Sequence, residues 1–145
     1  MRNFKTRNQP HGFALMKAPL RRFFDAHLET ALREMPPRVH ALLETVPLVV
    51  EDHPSRQIMR KMRVRHRDGL CGLYSGIPLT DRSVEQSGLL SDVIHIYREG
   101  ILAMAVDRFG AVDESELRRQ IRLTILHELG HYHGLDEKEL RELGY

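Results

Sequence analysis

Apolar positions along this chain change period several times, and each change marks an element. From Phe23 to Met35, the residues Phe23, Phe24, Leu28, Ala31, Leu32 and Met35 recur at helical intervals, with His27 among them. That spacing puts them on one face of a helix. Pro36 and Pro37 stop it, and Pro37 suits the first turn of a second short helix running through Glu44. Val46 to Glu51 is rich in β-branched residues and predicts a strand. Gly69, Gly72, Gly76 and Pro78 punctuate a stretch that reads as a loop. Asp92 to Arg98 is the clearest strand: Val93, His95 and Tyr97 alternate with Ile94 and Ile96, which places the two sets on opposite faces. Ile101 to Val106 predicts a further short strand or helical turn.

The longest periodic run comes last. Asp113 and Glu116 fit a capping box. Leu117, Ile121, Thr124, Ile125, Leu126 and Leu129 follow at near-helical spacing, with enough apolar positions to imply deep burial. Only Gly130 interrupts. Glycine inside a helix costs about 1 kcal/mol against alanine, so its presence predicts another element packed close to the backbone. The helix is expected from Asp113 to His133, with Gly134 as the left-handed residue beyond its cap. Helices and strands followed by one long helix make an α+β domain.

Inside that last helix lies His127-Glu128-x-x-His131. Residues four apart share a helix face, so His127 and His131 can offer imidazole nitrogens to one ion. Glu128 lies one step round, where its carboxylate reaches a metal-bound water as general base without ligating the metal. Zinc suits neutral imidazoles and chemistry without redox. A catalytic zinc takes three protein ligands and leaves one position open. After His131 the chain offers Asp136, Glu137, Glu139 and Glu142. In the extended pattern HExxHxxGxxH, the glycine turns the chain and the last position returns to the metal. Here that register gives Gly134 and Glu137, with Asp136 as the runner-up one residue early. His133 points to another face. Tyr145, Tyr132, Tyr97 and His95 are the candidates for a donor that stabilises an oxyanion. An extended peptide substrate would pair with a strand near this helix. Val93, Ile94, His95, Ile96 and Tyr97 are the first choice, since they come just before it.

The motif sits within a wider resemblance. HELGHYHGLDEKELRELGY, LCGLYSGIPLTDRSV (Leu70 to Val84), VPLVVEDHP (Val46 to Pro54) and DVIHIYRE (Asp92 to Glu99) together make the chain similar to the small bacterial zincin-like metallopeptidases of minimal-zincin type. The likeness covers the chain from about Phe23 onward. It implies a minimal zincin-like fold, a small mixed sheet packed on helices with a long C-terminal helix bearing HExxH, and zinc peptidase activity of unstated substrate. Members of the family often carry Asp where Glu137 stands. Glu is longer by one methylene, which moves the backbone outward from the metal.

Composition narrows the setting. Against 22 Lys and Arg stand 20 Asp and Glu, so the chain is no polycation. Residues 1–22 hold six basic residues and no acid, and read as a flexible basic arm preceding a single domain over 23–145. One cysteine excludes an internal disulfide, no run is apolar enough for a membrane, and the basic N-terminus lacks an apolar signal core. A cytoplasmic protein is expected. Cys71, among Leu70, Gly72 and Leu73, reads as a buried small apolar residue.

Arg56, Arg60, Lys61, Arg63, Arg65 and Arg67 form a basic run that opens rival readings. It is a solvated face, or a weak site for nucleic acid or an acidic partner. The bacterial rRNA-maturation endoribonucleases place three metal histidines at the offsets of His127, His131 and Glu137. In that family a glycine usually follows the first histidine, and Glu128 and Glu137 depart from the pattern. An RNA- or ribosome-associated binding protein with structural zinc needs four protein ligands, whereas three are in register here. An inactive zincin is the remaining alternative.

Overall fold

The computed structural model describes residues 4–6, 16–79 and 92–142. Its elements run β1 (Lys5–Thr6), α1 (Ala18–Arg33), α2 (Pro37–Thr45), β2 (Leu48–Glu51), α3 (Arg56–Lys61), β3 (Gly72–Ser75), β4 (Val93–Tyr97), α4 (Arg98–Met104), α5 (Glu114–Tyr132) and α6 (Glu137–Glu142). The architecture is α+β, as the pattern predicts. The four strands form one mixed sheet in the order β1-β2-β4-β3. β2 runs parallel to β1 and β4, and β3 runs antiparallel to β4.

Alternation along the strands divides the sheet into two faces. Leu48, Val50, Ile94 and Ile96 share one face, and all are almost fully buried. Helix α5 packs against β3, β4, α1 and α4. Its buried residues Leu117, Ile121, Thr124, Ile125, Glu128, Leu129 and Tyr132 trace one stripe at helical period, so Glu128 lies on the inward face of the helix.

Helix α1 begins at Ala18, four residues before the expected end of the basic arm at Arg22. Pro19 fits its first turn, and Arg21 is drawn inward by Asp52, with Nη2 to Oδ2 at 2.6 Å and Nε to Oδ1 at 3.1 Å. Further upstream, Lys5 and Thr6 pair with Val49 and Val50, and Phe4 is buried in the core. The arm is therefore tied to the domain at two places. Ile101 to Val106 is helical rather than a strand through Met104, and Val106 makes an isolated bridge to Val112.

The glycine-punctuated stretch is the main departure. Instead of a loop throughout, Gly72 to Ser75 is strand β3 at the edge of the sheet. Gly72 is there for want of space: a Cβ would lie 2.7 Å from Thr124 Cγ2 and 2.9 Å from the His95 carbonyl oxygen. The helix and neighbouring strand approach too closely for a side chain.

Candidate metal centre

Helix α5 starts and stops as its sequence predicts. Asp113 is the N-cap and its Oδ1 accepts from the Glu116 N–H at 3.0 Å. The return arm of the capping box is absent, because the Asp113 N–H already donates to the Ala105 carbonyl. At the other end Gly134 has φ 89°, the Gly134 N–H donates to the His131 carbonyl and the Leu135 N–H to the Gly130 carbonyl. These two bonds form a Schellman turn. It reverses the chain so that α6 folds back on α5. Leu140 then covers Gly130, where a Cβ would meet Leu140 Cδ2 at 2.2 Å. That contact is the close packing that the interior glycine predicts.

The fold-back brings three donor atoms together. His131 Nε2 lies 3.2 Å from His127 Nε2 and 2.9 Å from Glu137 Oε1, and His127 Nε2 lies 3.3 Å from Glu137 Oε1. Ligands about 2.0–2.1 Å from a tetrahedral zinc are roughly 3.3 Å apart from one another. The triangle of donors thus has the size of one face of a zinc tetrahedron, and its fourth corner carries no described side chain from His, Cys, Asp or Glu. The His131 Nδ1 sits 2.9 Å from the Leu135 carbonyl oxygen. Donating there fixes the ring and turns the Nε2 lone pair toward the other two donors. The Leu135 peptide unit therefore both ends the helix and orients a histidine.

Asp136 does something else. Its Oδ1 accepts from the Glu139 N–H at 2.8 Å, and its own N–H donates to Glu139 Oε2 at 2.7 Å. This is a complete capping box at the start of α6. It is Glu137, in the first turn of that helix, that reaches the two imidazoles. Burial alone would raise the Glu137 carboxyl, but His127 and His131 together outweigh it and hold the group below its ordinary value.

Glu128 is the buried carboxylate of the site. Its Oε2 accepts from the Tyr74 N–H at 2.7 Å. The strand geometry explains why that N–H is available. The Tyr97 N–H donates to the Cys71 carbonyl, so Cys71, Leu73 and Ser75 turn their backbone groups to β4. Gly72 and Tyr74 turn theirs to the other side, where no strand pairs among the described residues. Burial raises the Glu128 carboxyl, and Glu137 adds to it; His131, the Tyr74 N–H and His127 oppose, and the net direction is upward. A carboxylate shifted toward neutrality is a better proton acceptor for water.

A groove of about 390 Å³ runs beside these residues, lined by Glu128, His131 and Glu137 together with Met62, Leu70, Leu73, Tyr74 and Pro78. A larger cavity of about 910 Å³ lies elsewhere and contains none of the three donors; Arg65, His66 and Arg67 line it.

Several expected site residues lie outside this groove. Tyr132 is buried with its ring 5.8 Å from that of Tyr74. Tyr97 is buried on β4 beside His95, whose Nδ1 is 3.2 Å from Glu51 Oε1. None of Tyr132, Tyr97 and His95 is among the groove's lining residues. Tyr145 falls outside the described residues. The strand from Val93 through Ile94, His95 and Ile96 to Tyr97 is not an edge either. It is paired with β2 on one side and β3 on the other, so its backbone is already spent. Among the described strands β1 and β3 lie at the edges, β3 is the one beside the groove, and Tyr74 is the groove residue that the sequence pattern does not single out. Its hydroxyl donates to Asp92 Oδ1 at 2.5 Å, which anchors the ring. The one signal for it was an aromatic residue framed by glycines next to a strand-forming stretch.

Among the described residues no helix is long and apolar enough to cross a membrane. Comparison with curated proteins gives no significant match. A family model for zincin-like metallopeptidases matches residues 43–145, which takes in β2, the edge strand, the HExxH helix and the fold-back that follows it. With most of its length matched, the chain belongs to the zincin-like metallopeptidase family.

Proposed function

We propose that the protein is a zinc-dependent peptidase in which His127, His131 and Glu137 hold the metal and Glu128 is the general base. The observation that carries this reading is the triangle of three donors, 2.9–3.3 Å on its sides, beside a buried carboxylate bonded to the backbone of strand β3. These three side chains would hold zinc, which would supply a water of pKa about 7 and a Lewis acid for the carbonyl. Glu128 accepts the proton of the attacking water and passes it to the leaving nitrogen. The outward backbone groups of Gly72 and Tyr74 align an extended substrate as an added strand. Tyr74 lies on the groove wall and orients that strand.

The nuclease alternative loses ground on Glu128, which serves amide hydrolysis and which that family lacks. The structural-zinc alternative lacks a fourth donor among the described residues.

The test is the Glu128→Gln variant. It should bind one zinc per chain, measured by elemental analysis, and lose peptide hydrolysis by at least about a hundredfold. Full activity in this variant would remove Glu128 from the mechanism.

A further inference from the structure

The cavity of about 910 Å³ has no part in the chemistry above. Its size lies within the range of about 300–1,000 Å³ that small-molecule sites occupy. Three stretches of chain wall it: the start of α1, the connection from α3 to β3, and α4 with the turn that follows. Each wall is fixed by contacts of its own. Arg21 on Asp52 holds the first turns of α1. Arg67 Nη2 donates to Glu99 Oε1 at 2.7 Å and ties the connection to α4. Gly100 lies so close to the Leu70 carbonyl that a Cβ has no room. The turn after α4 is closed by the bridge between Val106 and Val112, and by Asp107 Oδ1, which accepts from the Phe109 and Ala111 N–H groups at 2.8 and 3.0 Å. The walls therefore stand without a ligand, as in other pre-formed sites.

The lining joins an apolar surface to an unequal set of charges. Leu20, Met59, Leu102, Val106 and Val112 supply the apolar part. Leu20 is 40 % exposed and Val106 46 %, although both line a concavity, so an apolar body entering it removes their surface from water. The charged part is Lys17, Arg65 and Arg67 against Asp68 and Glu99, with His66 beside them. Arg67 and Glu99 neutralise one another. Among the described residues Lys17, Arg65 and Asp68 make no ion pair. With histidine counted as neutral, three cations face two anions, and the lining keeps an excess of one positive charge. That excess selects the head of a ligand. A carboxylate brings one negative charge and matches it. A phosphate monoester brings about 1.5 to 2 negative charges at neutral pH and exceeds it. A guanidinium also meets a carboxylate through two parallel hydrogen bonds, which suits Arg65 to the contact.

We propose that this cavity is a second binding site, for a small amphiphile with an alkyl chain and a single carboxylate head, of the fatty-acid kind. The chain lies among the apolar lining residues and the head pairs with Arg65, with Lys17 adding to the attraction. None of His127, His131 and Glu137 lines the cavity, so the site is independent of the metal and of the peptidase reading.

The experiment titrates the zinc-loaded full chain with decanoate, dodecanoate, dodecyl phosphate and dodecyltrimethylammonium, each below its micelle concentration, by isothermal titration calorimetry. One dodecanoate should bind per chain, tighter than decanoate by about tenfold, as two more buried methylenes imply. Dodecyltrimethylammonium should bind at least about tenfold more weakly at low salt, and dodecyl phosphate more weakly than dodecanoate. Chelation of the zinc should leave dodecanoate binding unchanged. Arg65→Glu should weaken dodecanoate about tenfold. Ala103→Phe fills the cavity from an exposed position on α4 and should weaken every chain while the thermal midpoint stays near the parent's. Absence of saturable binding overturns the proposal, as does a preference for the ammonium or the phosphate. Loss of binding on chelation would put the carboxylate on the metal and overturns it too, as does unchanged affinity in either variant. Co-sedimentation with vesicles of anionic lipid, without binding of monomeric dodecanoate, would make the cavity a contact for a lipid surface and overturns it as well.

Discussion

Two neighbouring acids, Asp136 and Glu137, divide the work at the turn into α6. Asp136 closes a capping box and Glu137 faces the imidazoles. Glu137→Ala should therefore lower zinc occupancy sharply in a chelator competition. Asp136→Ala should retain zinc and lose about 1 kcal/mol of stability through the cap. The reverse pattern would reassign the third ligand. Glu128 makes a separate prediction for the metal-free protein. Its folded pKa is raised, chiefly by burial. A carboxyl raised on folding contributes its full stability below its unfolded value of about 4.3 and loses it as pH climbs through the folded value. Glu128→Gln removes that loss. The midpoint of the variant should exceed that of the parent by a margin that widens from about pH 4 to about pH 7 in thermal scans with chelator present. Cys71 is partly rather than fully buried, packed against the core, and burial, helped by the Glu128 charge, pushes its thiol up to about 11. The positions of His127, Glu128, His131 and Glu137 were legible in the sequence because helical period and a glycine turn are local rules. Tyr74 was not, since it meets Glu128 across 54 residues of chain.

At the scale of elements, the centre depends on how α6 lies on α5. Leu140 is fully buried against Gly130, and the same six-residue helix carries Glu137. Gly130→Ala should push Leu140 away and shift Glu137 with it. We expect zinc affinity to fall about tenfold or more while far-ultraviolet circular dichroism stays near the parent's, because alanine is the better helix former. Unchanged affinity would show that α6 can slide without moving its ligand. Long elements such as α5 and β4 were readable from period alone. β3 was hidden because its glycine answers to a tertiary demand: Thr124 and the His95 carbonyl leave no room for a Cβ. β4 was readable as a strand, but its central place was not. Strand order follows from which segments meet in space, and alternation within one strand carries no record of that.

Across the whole molecule, a buried charge cluster joins the layers. Arg98 is fully buried, with Nε and Nη2 on the two oxygens of Asp25 at 2.9 and 3.1 Å and Nη1 on Asp52 Oδ1 at 2.9 Å. Arg21 reaches Asp52 from α1. The cluster thus pins α1, the end of β2 and the start of α4. Arg98→Met takes the guanidinium away from buried Asp25, leaves Asp52 with Arg21 alone, and should cost about 3–5 kcal/mol in urea unfolding. A smaller loss would mean that water enters the site. Nothing local announces this cluster, since Arg98 and Asp25 are 73 residues apart. Among the described residues no strand pairs with the outer side of β3, and this has a consequence of its own. A strand with bare outward N–H groups invites other chains to stack on it, and soluble proteins guard such edges with charge. Here the Glu128 carboxylate sits on the Tyr74 N–H, so the proposed base also stands guard against self-association. Any strand that docks must displace it, and stray aggregation and true substrate face the same sentry.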